Sequence, residues 1–141
     1  MKFFRPNFRT TFLIVGYTFV FLAVSLFAKG LLKSMSEFQV PQAVLDSPHY
    51  VDAIQWVYIH MITLGLLIVS IGYSVTDVVK QKRISILLFF ISSFYTYLDF
   101  RSSDSALGNA LYKGDASIIP AVISLVVTLL FLQLSLRRNK K

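Results

Sequence analysis

The sequence predicts an all-α fold: an integral membrane four-helix bundle with both termini on the cytoplasmic side. Three observations support this prediction. The 141-residue chain is 55% hydrophobic and 15% charged, with a mean hydropathy of +0.66, which is too apolar for an ordinary soluble domain. The charged residues are gathered into short islands that separate four apolar runs. The basic residues concentrate in alternate islands, as membrane orientation requires.

The four predicted spans cover residues 10–28, 53–76, 84–101 and 116–136, within a single domain of residues 1–141. A hydrocarbon core about 30 Å thick needs roughly 20 helical residues. Backbone amides in lipid must bond within their own segment, so each run should be helical. The third run is the shortest, and it extends past Asp99 to Arg101 near the interface, where a long Arg side chain can reach water.

The orientation follows from the distribution of Lys and Arg between the two sides of the predicted bundle. One side carries ten of the 14 basic residues and one of the seven acids, and the other carries four basic residues and six acids. The positive-inside rule places the first side in the cytoplasm, so we expect a bacterial-type cytoplasmic membrane with both termini cytoplasmic. Orientation and anionic lipid account for the net charge of +7, and no nucleic-acid partner is expected.

The predicted loops differ in length. The first outer loop, residues 29–51, is longer and has room for a short interfacial helix over residues 30–38. The Ser47-Pro48 pair predicts the entry of the second helix, because Pro is favoured in a first turn. The loop at residues 77–83 is short, which predicts that the second and third spans are antiparallel neighbours.

Polar residues form a stripe along three of the spans when successive residues are placed 100° apart. The stripes contain Asp52, Trp56, His60, Thr63, Ser70 and Ser74 in the second span, Ser85, Ser92, Thr96, Asp99 and Ser103 in the third, and Ser117, Pro120, Ser124 and Thr128 in the fourth. Polar groups in lipid are costly, so we expect these stripes to turn inward and meet. Gly65 and Gly72 lie on another side of the second span and suit a second close helix contact.

One candidate ligand site opens towards the outer surface. Its predicted members are Asp52, Gln55, Trp56, His60, Tyr95, Asp99 and Arg101. The imidazole of His60 could serve as a proton relay, as a haem or metal ligand, or as part of a quinone or lipid head-group pocket. The alternative is structural, because His60 has no second metal ligand at i+3 or i+4 and could simply bond to a hydroxyl of a neighbouring helix. The aromatic and charged members could likewise anchor the helix ends at the interface.

The missing motifs narrow the function. The chain has no Cys, no Gly-rich phosphate loop and no metalloprotease or serine-hydrolase motif. We therefore expect no catalytic residue, no metal site and no required cofactor, although a membrane enzyme remains a third hypothesis. The first hypothesis is an accessory or interaction subunit of a membrane complex, with a protein partner or a homo-oligomer. The second is an outward-opening bundle that binds or transports a small ligand, an ion or a lipid through the polar face around His60.

Overall fold

The computed structural model describes residues 7–30, 33, 40–103 and 118–136, and it is helical in nearly all of them. The helices are α1 (Phe8–Ala28), α2 (Gln42–Leu45), α3 (Pro48–Ser74), α4 (Val78–Ser103) and α5 (Ile119–Ser135). In this part of the chain, α1, α3 and α4 are long and apolar enough to cross a membrane. Helix α5 is also apolar, with 17 residues.

The helix starts follow local capping rules. The Asn7 side chain accepts a hydrogen bond from the backbone amide of Arg9 and so caps α1. The entry predicted at Ser47-Pro48 is confirmed, because α3 begins at Pro48 with Ser47 as its N-cap. The side chain of Asp77 accepts from the amide of Lys80 at 2.7 Å. This cap starts α4 at Val78, so the predicted loop at residues 77–83 is mostly the first two turns of a helix.

Helix α3 packs against α1 through glycines. A Cβ atom added at Gly65 would lie 2.7 Å from the carbonyl oxygen of Gly16, and one added at Gly16 would lie 2.7 Å from the carbonyl oxygen of Gly65. A Cβ atom added at Gly72 would lie 2.9 Å from the Cβ of Phe12. The close contact predicted at Gly65 and Gly72 is therefore confirmed, and its partner is α1 of the same chain.

Helix α4 packs mainly against α5, so the long helices form two pairs, α1 with α3 and α4 with α5. The prediction that the second and third spans are neighbours is wrong, because α3 packs mainly against α1 and α4 packs mainly against α5. The two pairs join at one end through a buried cluster that we call the Phe12 cluster, formed by Phe8, Phe12, Val15, Ile68, Phe131 and Leu134. Phe12 and Phe131 meet edge to face there, with ring centroids 5.5 Å apart.

A second buried cluster lies at the other end of the α1–α3 pair. It contains Ala23, Val40, Leu45 and Tyr58, and it therefore joins α1, the segment before α2, α2 and α3. Helix α2 is a single turn, in which the Gln42 side chain donates to Asp46 at 2.8 Å. The interfacial helix predicted over residues 30–38 falls almost wholly outside the described residues. Residues 104–117, which connect the third and fourth predicted spans, also lie outside them.

Candidate functional site

The polar stripes of α4 and α5 meet in a buried seam, as the sequence predicts. Thr96 and Thr128 are both buried, and their hydroxyl oxygens lie 2.9 Å apart. Thr96 donates its own hydrogen to the carbonyl oxygen of Ser92, so Thr128 is the donor between the helices. Nearer the C-terminal end of α4, the hydroxyl of Ser124 donates to the carboxylate of Asp99. The polar groups of this seam are therefore hydrogen-bonded between α4 and α5. The side chains of Ser103 and Ser117, which the sequence also places in these stripes, are outside the part of the chain that the structure describes.

The polar stripe of α3 does not turn inward, which corrects the sequence prediction. Its six members are all exposed on the surface of the chain, and 63% of the Trp56 side chain is uncovered. At 100° per residue, the centre of this stripe lies about 170° around the helix from Gly65. The glycine face makes the contact with α1, so the polar face points away from the chain's own helices. We call this surface the α3 stripe: Asp52, Trp56, His60, Thr63, Ser70 and Ser74.

Trp56 and His60 lie side by side on the α3 stripe, with ring centroids 5.9 Å apart. The Nδ1 atom of His60 lies 2.7 Å from the carbonyl oxygen of Trp56, one helical turn earlier. A carbonyl oxygen can only accept, so Nδ1 carries the hydrogen in this bond. In the uncharged ring the other nitrogen, Nε2, is then an acceptor. Thr63 is held in the same way, because its hydroxyl donates to the carbonyl oxygen of Ile59 at 2.9 Å.

The remaining members of the predicted site are divided between the two helix pairs. Asp52 is exposed and Gln55 half-buried on α3, while Tyr95 and Arg101 are exposed on α4. Tyr95 lines a shallow apolar groove with Phe90, Ile91 and Phe94. The structure thus brings Trp56 and His60 together and pairs Asp99 with Ser124. The ligand-binding role of the seven predicted residues stays a prediction.

A further polar group at the α1–α3 contact was not predicted from the sequence. The guanidinium carbon of Arg9 lies 4.9 Å from the centre of the Tyr73 ring. These residues lie on two helices, and their pairing depends on the register set by Gly16, Gly65 and Gly72. A single sequence does not reveal that register.

Comparisons of this chain with protein-family models, with curated proteins and with solved structures find no match.

Proposed function

We propose that this chain is a four-span membrane protein with both termini in the cytoplasm, and that it serves as an interaction subunit that docks a membrane partner on the α3 stripe. The observation that carries the proposal is the outward direction of that stripe. Polar side chains within a span are costly in lipid and are ordinarily covered by protein or by a water-filled cavity. The chain's own helices leave the α3 stripe uncovered, so another molecule is expected to cover it.

The apolar surface supports the membrane setting of this proposal. Large hydrophobic side chains stand out from the packed helices, for example Phe21 with 72% of its surface exposed and Phe90 with 65%. Such exposure along whole helices is unfavourable in water and favourable in hydrocarbon. Exposed apolar residues border the α3 stripe as well, including Ile59 and Leu66, and exposed Leu67 lies within it. The stripe is thus a narrow polar surface in an otherwise lipid-compatible helix.

The four-span topology is supported by the alternation of charge along the chain and by the helix packing. The Phe12 cluster brings together the start of α1, the second half of α3 and the end of α5. Partly buried Ile84 and Leu88, from the first half of α4, pack against it. The excess of basic residues lies towards this end, which supports a cytoplasmic position for it.

Single-cysteine labelling tests the topology, because the chain has no Cys of its own. Ala43 and Thr76 are exposed and lie at opposite ends of the α1–α3 pair. A membrane-impermeant maleimide should label the Ala43→Cys variant in intact cells, and the Thr76→Cys variant only after the cells are lysed. The reverse pattern, or equal labelling of both variants in intact cells, would contradict the proposed orientation.

Cross-linking within the native membrane tests the docking. A photo-reactive group attached at Ser70→Cys, on the α3 stripe, should give one discrete adduct whose mass exceeds that of the chain. The matched control is Thr18→Cys, because Thr18 is also an exposed hydroxyl residue but lies on α1. Introducing Thr63→Leu beside the Ser70 probe should reduce the adduct, and Thr18→Leu should not. A chain that cross-links only to lipid from both positions would contradict an interaction role.

A second candidate function is favoured by the adjacency of Trp56 and His60. In this alternative, the polar face around His60 belongs to an outward-opening bundle that binds or transports a small ligand, an ion or a lipid. His60→Ala should then abolish a pH-dependent flux or a ligand affinity in vesicles that contain the purified chain. Unchanged behaviour would remove this alternative and leave the interaction role intact.

A further inference from the structure

The position of His60 limits what can cover the α3 stripe. Helix α3 runs from Pro48 to Ser74, so His60 lies one residue from its midpoint, or about 1.5 Å along the axis. If α3 spans the bilayer, this imidazole is at mid-depth, far from interfacial water. The ring is exposed on the surface of the chain. Its second nitrogen, Nε2, therefore faces lipid or a partner.

The hydrogen bond inside the helix fixes which chemistry Nε2 presents. The carbonyl oxygen of Trp56 takes the Nδ1 hydrogen, at 2.7 Å. A charged imidazolium at the centre of a bilayer is costly, so the uncharged ring is favoured there, and its Nε2 is an acceptor. An acceptor in hydrocarbon gains nothing from its surroundings unless a donor reaches it. At this depth, Nε2 of His60 therefore requires a hydrogen-bond donor from another molecule.

We infer that the partner docked on the α3 stripe is a transmembrane helix of a different protein that presents a side-chain hydrogen-bond donor to Nε2 of His60. This inference rests on the proposed interaction role and names the partner's chemistry. A hydroxyl, a carboxamide or an indole N–H would meet the requirement. The donor must lie at mid-depth, about 12 Å deeper than the level of Asp52, which lies eight residues earlier.

A second copy of the chain fits this requirement poorly. In a two-fold dimer whose axis lies along the membrane normal, equivalent residues are at the same depth. His60 would then face His60, and two Nε2 lone pairs would oppose each other without a hydrogen between them. Thr63, one turn further along the stripe, already donates to the carbonyl oxygen of Ile59. The indole N–H of Trp56 belongs to a residue one turn earlier, about 6 Å from the level of His60. Complementarity of donor and acceptor thus favours a different protein over a self-pair.

Three substitutions of His60 separate the acceptor at Nε2 from the rest of the ring. In His60→Gln the terminal amide reaches about as far as Nε2 and keeps an acceptor there. In His60→Asn the amide reaches only about as far as Nδ1, so the outer acceptor is lost. His60→Phe keeps the ring shape without either nitrogen. Since His60 is exposed on the chain, all three variants should fold, and an unfolding measurement in micelles verifies this.

The readout is the yield of the Ser70→Cys photo-adduct in native membranes. We expect His60→Gln to keep the yield close to that of the parent, and His60→Asn and His60→Phe to weaken association about three- to twentyfold, the range for one hydrogen bond between transmembrane helices. Equal yields from all three variants would overturn the inference. A loss in all three, Gln included, would indicate a ligand bound through imidazole and would also overturn it. An adduct with twice the mass of the chain would show that the occupant is a second copy.

Two further measurements keep this inference separate from the proposed function. Nitrogen-15 NMR of the chain in lipid should show His60 protonated at Nδ1 and unprotonated at Nε2, with His49→Gln used to assign the two histidines. The opposite tautomer would overturn the inference alone. The Thr63→Leu variant reports on docking as such. If it reduces the adduct while the His60 variants do not, the interaction role stands and only the partner chemistry fails.

Discussion

The contact between α1 and α3 leaves no room for a Cβ atom at Gly65, and adding a single methyl group there tests this packing. In Gly65→Ala the new Cβ would lie 2.7 Å from the Gly16 carbonyl oxygen and 2.7 Å from Cγ2 of Val20. Ordinary contact begins near 3.4 Å, so the helices must separate by about 0.7 Å. Overpacking of this kind costs about 1–3 kcal/mol, and the better helix propensity of Ala returns up to about 1 kcal/mol. Because one of the clashing atoms is a backbone oxygen, which cannot turn aside, we expect a cost in the upper part of this range and a net loss of about 1–2 kcal/mol.

The free energy of unfolding of purified protein in mixed micelles, measured against the fraction of denaturing detergent, reports this loss. The control is Ala53→Leu, which adds more bulk to the same helix at an exposed position with a helix propensity close to that of Ala, and it should change stability by less than about 0.5 kcal/mol. Gly16→Ala meets the same contact from the other helix. One separation relieves both clashes, so the double variant should cost less than the sum of the single variants. A Gly65→Ala protein as stable as the parent would refute this account of the packing.

Three further substitutions test single contacts by the same unfolding measurement. Thr128→Val keeps the side-chain shape but removes the donor to Thr96, and should cost about 0.6 kcal/mol, with no loss expected if the two hydroxyls do not bond. Ser124→Ala removes the donor to Asp99 and should cost about 1 kcal/mol, whereas Ser124→Thr, which keeps a hydroxyl, should recover most of it. Asp77→Ala removes the cap of α4 and should cost about 1 kcal/mol, while Asp77→Asn should be nearly neutral; equal effects of the two would exclude capping as the cause.

The positions of the long helices could be predicted from the sequence because apolar runs and helix caps are local properties. The Ser47-Pro48 entry is an example, since Pro restricts the chain wherever the helix later packs. The cap at Asp77 is equally local, but the charged residues that follow it favour a loop, so the prediction places the start of the third long helix too late. The hydrogen bond from Lys80 to Asp77 shows that charge next to a capping residue is compatible with a first helical turn.

The prediction of which side of α3 turns inward is wrong, because two sides of this helix compete for burial. The prediction assumed that the cost of polar groups in lipid decides which side turns inward. In α4 this rule works, since the polar residues Ser85, Ser92 and Thr96 are also small and permit a close approach. In α3 the polar side carries Trp56 and His60, which are bulky, whereas the opposite side carries glycines. Residue size therefore predicts the inner face better than polarity does.

The α3 stripe is less costly in lipid than its composition indicates, and this bears on how a partner could dock on it. The helix backbone already satisfies the hydroxyl of Thr63 and the Nδ1 hydrogen of His60, because each donates to the carbonyl oxygen one turn earlier. The chain is therefore expected to insert and fold before it meets the proposed partner, as transmembrane helices generally do before they associate. At mid-depth the unmet requirement is concentrated in one atom, Nε2 of His60. Non-specific contact with such a surface therefore adds little to the free energy of association, whereas a partner with a donor at the matching depth adds most. The choice of partner is expected to depend on His60 more than on the hydroxyl groups around it.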